Sequence, residues 1–219
     1  MERNILFGLP HTGDFSFQTV NGIFTMLGPI LGANPKININ FMMVGHSLVY
    51  DARNMIAEKA MNEGFTHVFF LDSDMVVTPN TLIKLLADEK DIVSGMAFKR
   101  VPPFEPCFYK EIVWNEAKQN HECVMIPEWE KDSLVEIAAV GMACALIKTE
   151  VLKAVKEKYG SCFHPGKSLG EDIAFCRRAV DLGYKIFVDT SLSIGHVGSF
   201  VVTDAHWRAT YENSKRTTG

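Results

Sequence analysis

"VFFLDSDMVV" (residues 68–77) is the stretch on which the reading of this chain turns. An unbroken apolar run stops at two carboxylates, Asp72 and Asp74, with only Ser73 between them. A strand buried on both faces reads as a continuous hydrophobic run, and such runs usually close at a Gly or Asn turn. Two like charges about 4 Å apart repel by roughly 4 kcal/mol at an effective dielectric of 20. Something positive should therefore sit at this strand end. No Lys or Arg lies nearby in sequence, so a divalent cation is the economical expectation.

Outward from that stretch the pattern is regular. "NILFGL" (4–9), closed by Pro10 and Gly13, and "INFMMV" (39–44) read as strands before "THVFFL" (66–71). Residues 15–31, interrupted by Gly22 and Gly28, predict an imperfect helix. Residues 49–64 place Ala52, Ile56 and Ala60 four apart, a helical spacing closed by Gly64. In "TPNTLIKLLADE" (78–89), Thr78 is expected as N-cap with Pro79 at the first helical position, and "DIVSGMAF" (91–98) follows as a strand. Such alternation predicts an α/β fold with a mostly parallel sheet flanked by helices.

After Arg100 the pattern changes. "CFYKEIV", "CVMIP" and "LVEIAAVGMACALIK" read as strands with hairpin-like connections, a small mixed or antiparallel sheet. A helix is expected at 149–159 with Thr149 as its cap, then a glycine-rich loop at 160–170. "EDIAFCRRAVDLG" predicts a helix, "KIFVD" a strand and "LSIGHVG" a short strand or turn. The chain after Trp207 reads as a polar, mobile tail.

The 219 residues, 47% of them hydrophobic, suit one domain. We expect it to span 1–200, with 1–100 as a ligand-binding half, 101–200 as a second-substrate half, and 201–219 as the tail. A net charge of −4 and a pI near 6.0 argue against a general nucleic-acid or anionic-membrane binder. The five cysteines contain no Cys-x-x-Cys pair, and Cys123, Cys144 and Cys176 sit among apolar neighbours. That predicts free thiols and a reducing compartment. The opening residues carry too short an apolar run for a secretory signal, and no stretch approaches about 18 apolar residues. The expectation is a cytoplasmic protein with no transmembrane segment.

In an open parallel sheet, ligands collect at the carboxyl ends of the strands, which is where Asp72 and Asp74 fall. Asp72-Ser73-Asp74 after a hydrophobic strand resembles the Asp-x-Asp motif of GT-A glycosyltransferases of the family-two-like kind. Three further segments match in order. "ARNMIAEKA" (52–60) is similar to the Ala-Arg-Asn helix of those enzymes, with Arg53 and Asn54 at the matching positions. "GEDIAFCRRAVDLGYKI" (170–186) resembles their Glu-Asp segment, and His196 in "SLSIGHVG" stands where a late metal-binding histidine is often placed. Pro10 falls where the nucleotide-binding loop begins in relatives, although "HTGDFS" departs from their patterns.

The resemblance implies a GT-A, Rossmann-like fold and transfer of a sugar from a nucleoside-diphosphate sugar, UDP- or GDP-linked, to a hydroxyl acceptor such as a carbohydrate. It implies Asp72, Asp74 and His196 as metal ligands, with manganese favoured by the oxygen and imidazole donors and magnesium a plausible substitute. Pro10, Arg53, Asp72, Ser73 and Asp74 would contact the donor. Asp172 is the candidate general base, with Glu171 orienting the acceptor. Gly141 would leave room beside the metal, and loop 160–170 would close over the donor. Trp114 and Trp129 would stack on an acceptor sugar or pack in the core.

Two rival readings remain open. A haloacid-dehalogenase-like phosphatase also uses Asp-x-Asp after a strand and would recruit Ser94 and Lys99. A catalytically inactive nucleotide-sugar-binding domain would keep the charges without turnover.

Overall fold

The structure, a computed structural model, describes residues 2–33, 36–198 and 200–217. The first hundred residues run β1 (Arg3–Pro10), α1 (Phe17–Ala33), β2 (Ile37–Val44), α2 (Val49–Asn62), β3 (His67–Leu71), β4 (Met75–Val76), α3 (Thr81–Ala87) and β5 (Ile92–Met96). Then come β6 (Phe108–Asn115), β7 (Asn120–Met125), β8 (Leu134–Ile137), β9 (Ala139–Val140) and β10 (Cys144–Lys148). The chain continues through α4 (Thr149–Tyr159), α5 (Glu171–Asp181), β11 (Ile186–Ser193), β12 (Gly195–Val197), β13 (Val201–Val202) and α6 (Asp204–Thr217).

A seven-stranded sheet in the order β2-β1-β3-β10-β5-β11-β8 organises the molecule. β1 pairs in parallel with β2 and β3, and β5 with β11, as the βα alternation requires. β10 lies antiparallel between β3 and β5, and β8 is antiparallel on the edge. Two three-stranded sheets complete the fold, β13-β12-β4 and β7-β6-β9.

Apolar clusters cover both faces of the main sheet. One is built on α2, α4 and α5, the other on α1 and α3. The alanines of α2 let the helix ride close to the sheet, and Gly8 of β1 completes that fit. A Cβ at Gly8 would lie 2.6 Å from Ile56 Cγ2, so the strand needs glycine there.

Three local expectations are corrected. α3 begins at Thr81 and not at Pro79: "TPNT" forms a turn in which the Thr78 amide donates to Thr81 Oγ1 at 3.0 Å. Thr149 does not cap α4. Its amide donates to Thr66 O at 3.0 Å, its hydroxyl is buried without a partner, and Lys148 holds the cap position. Residues 208–217 are no loose tail but the body of α6, and the last two residues of the expected tail lie outside the described residues. Trp207, only 5% exposed, joins the core and stacks on Tyr211, which packs against the same cluster, so an aromatic pair anchors an otherwise largely polar helix.

Candidate active site

The acidic turn is held by backbone bonds from three distant segments. The Asp72 amide donates to Ala143 O, the Ser16 amide to Ser73 O and the Val197 amide to Asp74 O, at 2.8–3.0 Å. β4, directly after the turn, pairs with β12 and sets Met75 opposite His196. The turn is thus welded to the loop after β1, to the approach to β10 and to the late histidine strand.

The two carboxylates face different partners. Asp72 Oδ1 accepts from Arg53 Nη2 at 2.8 Å, and Arg53 Nη1 donates to Glu171 Oε1. Arg53 is 3% exposed, buried on the sheet-facing side of α2, with Nε unpartnered. Burial opposes its charge, but Asp72, Glu171 and Asp172 more than compensate and hold the guanidinium above its usual range. Burial pushes the Asp72 carboxyl up, with Asp74 and Glu171 adding to it and Arg53 pulling back.

Asp74 looks outward. Its Oδ2 lies 3.2 Å from His196 Nε2 and 2.9 Å from Arg100 Nη1. His196 Nδ1 lies 2.7 Å from Phe98 O and donates to that carbonyl, which turns Nε2 toward Asp74. Burial works against the Asp74 charge, yet the bond to His196 and the charge of Arg100 hold its carboxyl below the usual range. Burial also opposes charge on His196, but Asp74 and the Phe98 carbonyl raise it.

Glu171 and Asp172 open α5, where the positive end of the helix suits them. Burial first, then the Glu171 charge, raises the Asp172 carboxyl, while the Ile173 amide donating to Oδ1 at 2.7 Å partly offsets this. A Cβ at Gly141 would stand 3.6 Å from Asp172 Oδ2 and 3.5 Å from Cys107 Cβ. Its nearest neighbours are therefore around Asp172, not the Asp74–His196 pair.

Other expected residues have different places. Pro10 ends β1 opposite Val44, at the same sheet end as the acidic turn. Asn54 neither faces solvent nor reaches the acidic turn: it accepts from the Phe163 amide at 2.9 Å and the Ser161 hydroxyl at 3.1 Å, and donates to Phe163 O. Loop 160–170 is therefore clasped near its start, with Phe163 buried, and His121 contacts Lys167 O near its end. Free closure of the whole loop does not fit these ties. Trp129 packs on Phe98 and Phe108, whereas Trp114 lies half-exposed beside His121 and Lys167. Ser94 is buried, donating to Gly95 O and Cys144 O, and Lys99 pairs with Glu105. Ser94 is thus committed within the core, while Lys99 stays at the surface in an exposed pair. All five cysteines are free thiols, with burial pushing Cys144 and Cys162 up to about 12.

The inference of a cation from an absence of nearby basic residues needs revising. Arg53, Arg100 and His196, lying 19, 26 and 122 residues from their carboxylates, supply positive partners through the fold. Arg100 had no sequence signal beyond its charge. Among the described residues, no group of three His, Cys, Asp or Glu side chains is arranged to hold a metal. Asp74 and His196 come together, while Asp72 is turned to Arg53.

No protein-family model matches the chain, and no curated protein matches it. Solved structures do. The crystal structure of A197 from STIV is 17% identical, with a TM-score of 0.59, over 90% of this chain and 86% of that one. The crystal structure of GalNAc-T7 with UDP, GalNAc and Mn2+ is 12% identical, with a TM-score of 0.53, over 90% of this chain and 44% of that one. This chain thus spans less than half the length of GalNAc-T7 in that structure. The fold is glycosyltransferase-like, a mixed α/β sheet flanked by helices with smaller antiparallel sheets beside it. No helix among the described residues is long and apolar enough to cross a membrane.

Proposed function

We propose that this chain is a metal-dependent glycosyltransferase moving a sugar from a nucleoside-diphosphate sugar to a hydroxyl acceptor. The observation that carries the reading is the meeting of Asp74 and His196 at the carboxyl end of the sheet. They lie 122 residues apart in sequence, with Nε2 aimed at Oδ2 across 3.2 Å. The likeness to a fold that holds UDP and Mn2+ in GalNAc-T7 supports the same class of donor and ion.

Two of the expected donors, Asp74 and His196, are placed together for such an ion. The imidazole is oriented by its Phe98 bond, the carboxylate is kept ionised, and Asp72, Asp74, Glu171 and Asp172 outnumber Arg53 and Arg100. Asp74 and His196 would hold it, with Asp72 contributing through water. Bound there, manganese or magnesium supplies Lewis-acid stabilisation of the charge that builds on the departing diphosphate.

The chain's own side chains do the rest. Arg100, released from Asp74 and mostly exposed, offers its guanidinium to the diphosphate. Arg53 does not reach the donor directly: both terminal nitrogens hold Asp72 and Glu171 in place. Asp172, with its raised carboxyl, takes the acceptor proton when that hydroxyl comes within about 3 Å. Glu171, fixed by Arg53, orients the acceptor, and Gly141 leaves space beside the base.

Calorimetric titration of manganese with and without UDP or GDP tests the reading. Coupled binding that vanishes in Asp74→Ala is expected. Binding unaffected by nucleotide, or unchanged in Asp74→Ala, would overturn it.

A further inference from the structure

α1 carries two apolar faces, and the fold accounts for only one. Ile23, Met26 and Ile30 point inward to the core. A second set, Phe17, Val20, Phe24 and Leu31, with the partly buried Leu27 between them, recurs at alternating spacings of three and four, the seam of a helix that packs against another helix. Phe17, Phe24 and Leu31 are 80%, 70% and 64% exposed. The outward face of a helix with a single core contact is normally polar, so this stripe is unexplained by the monomer.

The neighbouring edge shows the same deficit. β2 is the terminal strand of the main sheet, and "ININFMMV" contains no charge and no proline, two of the usual protections of a free edge. Phe41 and Met43 of β2 are exposed. Phe41 lies 4.8 Å from the ring of Phe7, a member of the core beneath α1, so it falls on the α1 side of the sheet.

We propose that this face is the interface through which two copies of the chain form a two-fold dimer, α1 against α1. Charge compatibility favours a second copy. Residues 17–33 and 37–44 carry no ionisable side chain, so two molecules of net charge −4 meet there without local repulsion. A membrane surface is the poorer match, because interfacial helices bear Lys and Arg on their polar face and α1 has neither. At roughly 200 Å² per large side chain, the exposed apolar groups offer about 600 Å² per copy. A standard interface buries about 800 Å² per partner, so little additional rim is required.

The test is the mass of the full chain at micromolar concentration by light scattering and sedimentation velocity. A particle of twice 24.5 kDa is expected, and the double variant Phe17→Glu, Phe24→Glu should weaken the dimer at least ~100-fold. Because both side chains are exposed, the circular dichroism of the monomeric variant should match wild type, and its melting should fall only by the concentration-dependent stabilisation that association supplies. Phe24→Ser, a milder change, should weaken association in the same direction. A wild-type particle of 24.5 kDa, with or without vesicle binding, overturns the proposal, as does a dimer that withstands the double variant.

Discussion

The acidic turn has two sides that differ in kind. At Asp72, a buried arginine bridges two partly buried carboxylates, one in the turn after β3 and one at the start of α5. At Asp74, a partly exposed carboxylate meets an exposed arginine and an oriented imidazole. The first arrangement fixes the frame and the second leaves groups that a ligand can recruit. The two carboxylates are equally exposed, 30% and 31%, so the division between construction and availability comes from their partners, a buried Arg53 and an exposed Arg100.

Removing Arg53 should show the larger effect. Arg53→Ala leaves Asp72 and Glu171 without their common cation, and breaking a buried pair costs about 3–5 kcal/mol. Chemical denaturation should reveal a loss of that order, or failure to fold; a loss below 1 kcal/mol would erase the contrast between the two sides. Asp74→Ala should leave stability within about 1 kcal/mol, because exposed pairs contribute little. Its turnover should fall by about 10²–10³, comparable to removal of one strong transition-state contact, as measured by release of nucleoside diphosphate.

The raised carboxyl of Asp172 sharpens the comparison through pH. A base must be ionised to act, so turnover should fall as pH drops through a value above the ordinary 3.8, and the kcat/KM profile reads that limb directly. For stability the sign is opposite. A raised value in the folded state gives a contribution complete below 3.8 and lost as pH rises through the folded value. Asp172→Asn should accordingly be more stable than wild type at neutral pH by chemical denaturation, while turnover collapses. Arg100→Ala is the mildest: stability within about 0.5 kcal/mol, nucleotide affinity weakened, and manganese bound more tightly without nucleotide because Asp74 is freed. Unchanged affinity for both ligands would show that Arg100 merely decorates the surface.

Much of the frame was legible in the sequence because its signals are local. The apolar runs behind Pro10, Val44 and Leu71 mark strands, and the four-residue spacing of Ala52, Ile56 and Ala60 marks α2. Pairings across the chain were another matter. Nothing near Asp74 announces Arg100, and nothing in Arg53 shows that it will join Asp72 to Glu171, since both depend on how the sheet closes. Asn54 was read from its helix neighbours, but its clasp on loop 160–170 spans more than a hundred residues. α6 was missed because the anchor formed by Trp207 and Tyr211 outweighs a polar composition that periodicity cannot see past.

The reversed strand β10 governs how the molecule can come into being. It is the seam between β3 and β5, yet it lies more than forty residues beyond both in the chain. A nascent polypeptide that has reached only residue 100 has two unsatisfied strand borders with no neighbour to join them. The first half cannot mature by itself during synthesis; the architecture waits for Cys144–Lys148 to slide between. Truncation after residue 100 should leave an aggregating fragment, and the frame around the acidic turn should form only once β10 is in place.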